Sequence, residues 1–168
     1  MREKVIVKTG SGVYVLKQVN QTSIPDKINA FEVTQARALI EGEVAAIAAT
    51  TINEDELERL HQTLIDMENG EFTEAADKEF HHIIVNATRN KAMILSVENL
   101  WKLRSSTAEI IEDYDSVCSE DNSKTLNEHK AIYQALKSGD STRARCAMHN
   151  HFNRLINALF DAAESRAL

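Results

Sequence analysis

Residues 124–164 read KTLNEHKAIYQALKSGDSTRARCAMHNHFNRLINALFDAAE. Leu126, His129, Ile132, Tyr133 and Leu136 recur at three- and four-residue spacing, so they share one face of a helix. Past Gly139 a second stripe runs through Ala144, Met148, His151, Leu155, Ala158 and Leu159. Gly139 supplies the turn that ends the first helix, and Asp140 or Ser141 caps the second. Each stripe carries a histidine where an apolar residue is expected.

Reading outward, the helical pattern continues. Further helices are expected from about Thr34 to Thr50, Asn53 to Asn69, Thr73 to Ala87 and Lys91 to Asp113. Asn53 with Glu56 three residues on is a capping-box start, and Gly70 is a stop signal. The last two helices run from about Lys124 to Ser138 and onward to about Glu164, which makes six. The beginning differs. Residues 4–8 and 12–16 are short β-branched runs separated by Thr9-Gly10-Ser11-Gly12, which signals a hairpin. Residues 17–30 read as a linker. The expected organisation is therefore a hairpin over 1–16, a linker over 17–30 and a helical domain over 31–168.

Composition narrows the function. One Pro and five Gly in 168 residues favour long helices, and that length supports one core without disulfide staples. Charged residues interrupt every apolar run, so no bilayer span is expected. No signal peptide is read at the N-terminus. Cys118 and Cys146 form no CxxC pair and read as reduced thiols of a cytoplasmic protein, with a disulfide between them left open. A net charge of −7 argues against these residues forming a nucleic-acid surface, which needs an excess of Lys and Arg.

The chemistry lies on the inward faces. Asp77 and His81 are four apart on the third helix, beside the stripe Phe72, Ala76, Phe80 and Ile84. A carboxylate turned towards a core needs a positive partner, and a divalent cation is one solution. A surface salt bridge is the plainer alternative for this pair, and a hydrogen-bonded core histidine for His129 or His151 taken alone. Of six histidines, His82 and His149 point away from their stripes, and His61 has no inward partner. Three inward histidines on three helices, joined by Asp77, make a candidate metal-ligand set. Arg104 falls on the fourth helix's stripe with Val97, Leu100, Trp101, Ala108 and Ile111, and has no inward acid one turn away. Arg37 lies between Val33, Ile40 and Val44, where Glu41 is an alternative partner. An inward guanidinium beside a metal suits a small organic acid.

These residues resemble the FadR-type branch of the GntR family of bacterial transcription regulators. The resemblance to its effector-binding FCD domain runs from about Phe31 to about Ala163. It rests on Phe31-Glu32-Val33, Ala36-Arg37 with Glu41, Asp77-x-x-Phe80-His81, Thr88-x-Asn90, Glu128-His129-x-x-Ile132, Gly139-Asp140 and Ala147-Met148-x-x-His151. Trp101-Lys102-Leu103-Arg104-Ser105 is most similar to the hexuronate-operon repressors of that branch. The resemblance implies an all-α, antiparallel bundle of six to seven helices that forms a homodimer. It implies Asp77, His81, His129 and His151 as metal ligands, with zinc the most frequent occupant and nickel or manganese alternatives. Arg37 corresponds to an arginine at the effector pocket, and Arg104, Trp101 and Asn90 complete the candidate effector-binding set. The hairpin resembles the wing of a winged-helix domain whose remainder is missing, so operator DNA would be contacted only through that missing part.

Two rival functions stay open on the sequence. Glu58 to His61 and Glu79 to His82 are Glu-x-x-His runs of the kind found in di-iron bundles, and Glu128 is a candidate general base of a metal-dependent hydrolase. A helical interaction domain with an incidental polar core is the other.

Overall fold

The computed structural model describes residues 6–9, 12–15, 28–70, 74–118 and 122–167. The linker reading over 17–27 and the placement of Phe72 lie outside the described residues. Seven helices form the body of the described residues, so the all-α expectation holds.

Helix α1 (Ala30–Ala48) starts earlier than the stripe suggested, because Asn29 and Glu32 form a reciprocal capping box. Helix α2 (Glu54–Glu68) opens on the expected Asn53–Glu56 box, and Gly70 follows with φ of 87°. Helix α3 spans Glu74–Ala87. The single long helix expected over 91–113 is instead two, α4 (Lys91–Arg104) and α5 (Ala108–Cys118). Three hydroxyl residues between them divert the backbone. Ser106 donates to the Leu103 carbonyl at 2.8 Å, and Thr107 Oγ1 accepts from the Ile110 amide at 3.3 Å, which starts a new helix. The break changes the inward register. Val97, Trp101 and Arg104 are buried as expected, but beyond the break Ile110, Tyr114 and Val117 face inward while Ile111 is exposed.

Helices α6 (Asn122–Lys137) and α7 (Ser141–Ala167) are joined through Gly139, whose φ of 68° is a left-handed turn that glycine adopts without strain. Asp140 Oδ1 accepts from the Arg143 amide at 2.9 Å, so Asp140 rather than Ser141 provides the cap.

Helix α1 threads the middle and packs against α3, α4, α5, α6 and most extensively α7. Its small residues Ala45, Ala48 and Ala49 are buried in the main core with Leu60, Phe80, Ile84, Ile132, Leu136 and Met148. A second apolar cluster of Ala30, Ile110, Tyr114, Val117, Leu155 and Leu159 fastens α5 to the start of α1 and the far half of α7. The two β-branched runs pair as antiparallel strands β1 (Ile6–Thr9) and β2 (Gly12–Val15), with Ile6 opposite Val15 and Thr9 opposite Gly12. That pairing is common to any two-stranded hairpin and carries no mark of a winged-helix domain.

Candidate metal centre

Three helices deliver the imidazoles to one point. His81 comes from α3, His129 from α6 and His151 from α7, and each side chain is almost wholly buried. One ring nitrogen from each lies within 4.8 Å of the other two. Among the described residues this is the one group of three or more His, Cys, Asp or Glu gathered so closely. Asp77, one turn before His81, puts Oδ1 3.2 Å from His129 Nε2 and 3.6 Å from His81 Nε2.

The other nitrogen of each ring faces an oxygen. His129 Nδ1 is 2.9 Å from the Thr125 carbonyl, His151 Nδ1 is 3.0 Å from Glu128 Oε2, and His81 Nδ1 is 2.5 Å from Glu41 Oε2. An acceptor at Nδ1, as His129 and His151 have, favours a proton there and leaves Nε2 with a lone pair. Three buried imidazoles brought this close, with a carboxylate oxygen beside two of them, suit a cation between them. The donor set therefore fits a divalent metal with nitrogen and oxygen preference, zinc, nickel and manganese among them.

The electrostatics agree. Burial drives the His151 imidazolium out, down to a pKa of about 4, against the opposing pull of Glu128. Burial also lowers His81, although Glu41 resists. Neutral histidines are the form that ligates. Burial would raise Asp77, but its closeness to His129, His81 and Arg104 holds it well below the usual carboxylate range. Glu41 behaves alike: burial opposes ionisation, and Arg37 with His81 overcomes it, to about 2.

Beside the histidines lies a cationic shelf. The Arg37 and Arg104 guanidinium groups both lie over the Trp101 ring, 4.2 Å and 4.7 Å from its centre. Arg37 Nη2, Arg104 Nε and Trp101 Nε1 are buried without a hydrogen-bond partner. Orphaned buried donors are costly, and a ligand rich in acceptor oxygens would satisfy them.

As expected, no inward acid stands one turn from Arg104 on α4; its acid comes from α3, where Asp77 Oδ2 lies 3.3 Å from its Nη1. That partner stands on another helix, where a search one turn along α4 cannot see it. Arg37 does pair with Glu41, at 2.7 Å. Asn90 is exposed, and its amide oxygen accepts from the Ala92 and Met93 amides at the start of α4. Its described bonds are those of a cap and do not join it to the shelf. His149 does leave its stripe, but its ring is not in open water: its Nε2 and Cδ2 lie against Gly42 of α1, where any Cβ would collide with them. His61 is exposed and stacks on Tyr133 at 5.4 Å.

The enzyme reading loses its geometry. Glu58 is exposed, and Glu79 is exposed and engaged by Arg59 at 2.7 Å, so the two Glu-x-x-His runs do not converge. Glu128 is no free base, because His151 and Arg154 occupy its two oxygens. Sequence reasoning missed Glu41, Glu128, Thr125 and Arg154 as supports. Their signal was present: Glu41 is one turn from Arg37, Thr125 one turn and Glu128 one residue from His129, and Arg154 one turn from His151.

The FCD domain profile matches residues 32–154. A Haemophilus influenzae protein named Uxu operon regulator is 28% identical, over 96% of this chain and 65% of its own length. The Escherichia coli Exu regulon transcriptional regulator is 29% identical, over 94% of this chain and 64% of its own length. The chain thus spans just under two thirds of these relatives. Among solved structures, E. coli McbR/YncC superposes with a TM-score of 0.67 at 13% identity, covering 94% of this chain and 74% of that one. Streptococcus agalactiae GntR gives 0.62 at 21% identity, covering 92% and 75%. These two likenesses establish the fold. The relatives are named as regulators, not as enzymes.

Proposed function

Because this chain belongs to the FCD-domain family, we propose that it is the ligand-sensing part of a bacterial GntR/FadR-type transcription regulator, responding to a small carboxylate of the sugar-acid class. The observation that carries the reading is the convergence of three buried histidines, two with a hydrogen-bonded Nδ1 and the third with Nδ1 facing Glu41, next to guanidinium and indole donors that lack partners. Asp77, His81, His129 and His151 would hold the cation. When bound, it supplies a Lewis-acid docking point for a carboxylate or hydroxyl oxygen. Arg37, Arg104 and Trp101 offer the N–H groups that orient the remainder of the ligand. The resemblance to hexuronate-operon repressors favours a sugar acid.

The same residues provide a route outward. The Arg104 guanidinium lies 4.7 Å from the Tyr114 ring centre. The Tyr114 hydroxyl is 2.6 Å from Thr34 Oγ1, and Thr34 donates to the Ala30 carbonyl in the first turn of α1. A cavity of about 30 Å³ touches Arg104, Glu74 and Tyr114, room for roughly one water. A sugar acid reaching Arg104 from that side must displace α5, and α5 holds the start of α1 through Tyr114. Residues ahead of α1 then feel the ligand. Operator DNA would be contacted by a separate DNA-reading domain, in a cytoplasmic homodimer, and effector and DNA would alter each other's affinity reciprocally. No described helix is long and apolar enough to cross a membrane.

Trp101 is the only tryptophan, so its fluorescence reports on the shelf. Titrating zinc-loaded protein with glucuronate should give a saturable change, and glucose should give none. Equal silence towards glucuronate, galacturonate and simpler hydroxy acids would sink the sensor reading.

A further inference from the structure

Arg154 lies one turn beyond His151 on α7 and reaches across to α6. Its Nε donates to Glu128 Oε1 at 2.6 Å, and its Nη2 donates to Thr125 Oγ1 at 2.7 Å. Those two residues supply the Nδ1 acceptors of two histidines: Glu128 Oε2 for His151, and the Thr125 carbonyl for His129. One planar guanidinium therefore holds Glu128, the acceptor facing His151, directly, and grips the side chain of Thr125, the residue whose backbone carbonyl faces His129. On the opposite wall Arg37 Nε bonds Glu41 at 2.7 Å, and Glu41 faces His81 Nδ1. The centre is thus built from two Arg–Glu–His relays, and the α6–α7 relay also takes in His129.

We infer that Arg154 is a positioning residue for the metal centre, fixing the tautomer and orientation of His129 and His151 through Glu128 and Thr125. This inference rests on the metal reading above. Its physical basis is that a ligating imidazole binds well only when its second nitrogen is held, and that such outer partners matter about 10–100-fold in metal affinity. A fork of two N–H groups in a plane can hold two acceptors at once, whereas a lysine ammonium on a flexible stem holds them poorly.

The test uses the whole chain, with zinc affinity measured by competition against a chromophoric chelator. Arg154→Met should weaken binding about 10–100-fold, and Arg154→Lys should weaken it by a smaller factor. Arg145→Met, which removes an equally close but exposed pair with Glu43, should leave the affinity unchanged. Histidine-selective ¹⁵N spectra of metal-free protein give a readout that a general loss of packing does not mimic. In Arg154→Met the Nδ1–H form of His129 and His151 should give way to mixed tautomers, while His81, braced by Arg37 and Glu41, keeps its own. If Arg154→Met fails to fold, Arg154→Lys decides. Zinc affinity within twofold of wild type in the folded variants overturns the inference and leaves the metal reading standing. A wild-type protein that takes up no zinc, nickel or manganese overturns both.

Discussion

Arg104 Nη1 lies 3.3 Å from Asp77 Oδ2, while Asp77 Oδ1 faces His81 and His129. One carboxylate thus joins the cationic shelf to the histidine cluster. Removing its guanidinium partner leaves a buried charge whose direct neighbours are the two histidines, with Arg37 further off. Arg104→Met should cost the metal-free protein about 1–3 kcal/mol, read from urea unfolding. Zinc should return part of that loss, because a cation takes over the charge of Asp77. Equal destabilisation with and without zinc would count against the link.

His149 and His151 are a matched pair on one helix. His151→Ala should abolish stoichiometric zinc, nickel or manganese in elemental analysis while preserving helicity. His149→Ala should keep full stoichiometry, since that ring packs on Gly42 and has no part in the cluster. A His151→Ala protein that still binds one metal per chain would show the ligand assignment to be wrong.

Tyr114→Phe removes the hydroxyl next to Thr34 and the long contact to the Ala30 carbonyl at 3.5 Å. Thr34 retains its own bond to Ala30, so the loss should be about 1 kcal/mol. Thermal unfolding checks the magnitude. Hydrogen exchange should locate the change in the first turn of α1, and uniform exchange along the chain would argue against a local role.

Metal-free protein should lose stability as acid is added, in two overlapping ranges. His151 has a folded pKa of about 4. An unfolded histidine titrates near 6.5, so below that pH the unfolded chain takes a proton that the folded one refuses. Its contribution is full above about 6.5 and drains away towards 4. Glu41, at about 2 when folded against about 4.5 when free, contributes above 4.5 and is lost as pH falls towards 2. Unfolding midpoints in EDTA between pH 7.5 and 3 should fall throughout. A flat profile between pH 7 and 4.5 would contradict the buried, neutral His151.

Much of this architecture is legible in periodicity. The Asn53–Glu56 box, the Gly70 and Gly139 stops and the stripes of α6 and α7 are local features, decided within one or two helical turns. The inward placement of Asp77, His81, His129 and His151 followed from the same spacing, and all four are buried. The α4–α5 break was harder to read. Ser105, Ser106 and Thr107 are tolerated within helices, and here the Ser106 and Thr107 hydroxyls bond neighbouring backbone while the Ser105 hydroxyl reaches Glu74 on α3 at 2.9 Å.

By itself, then, the sequence determined which side chains turn inward, because a helix fixes direction every 3.6 residues. What those side chains meet was decided only by tertiary packing. Arg104 found Asp77 across a helix interface, Glu41 of α1 reached His81 of α3, and Arg154 of α7 came to brace Thr125 and Glu128 of α6. Partners that lie 27, 29 or 40 residues apart along the chain share no helical period, so their meeting depends on how the helices dock.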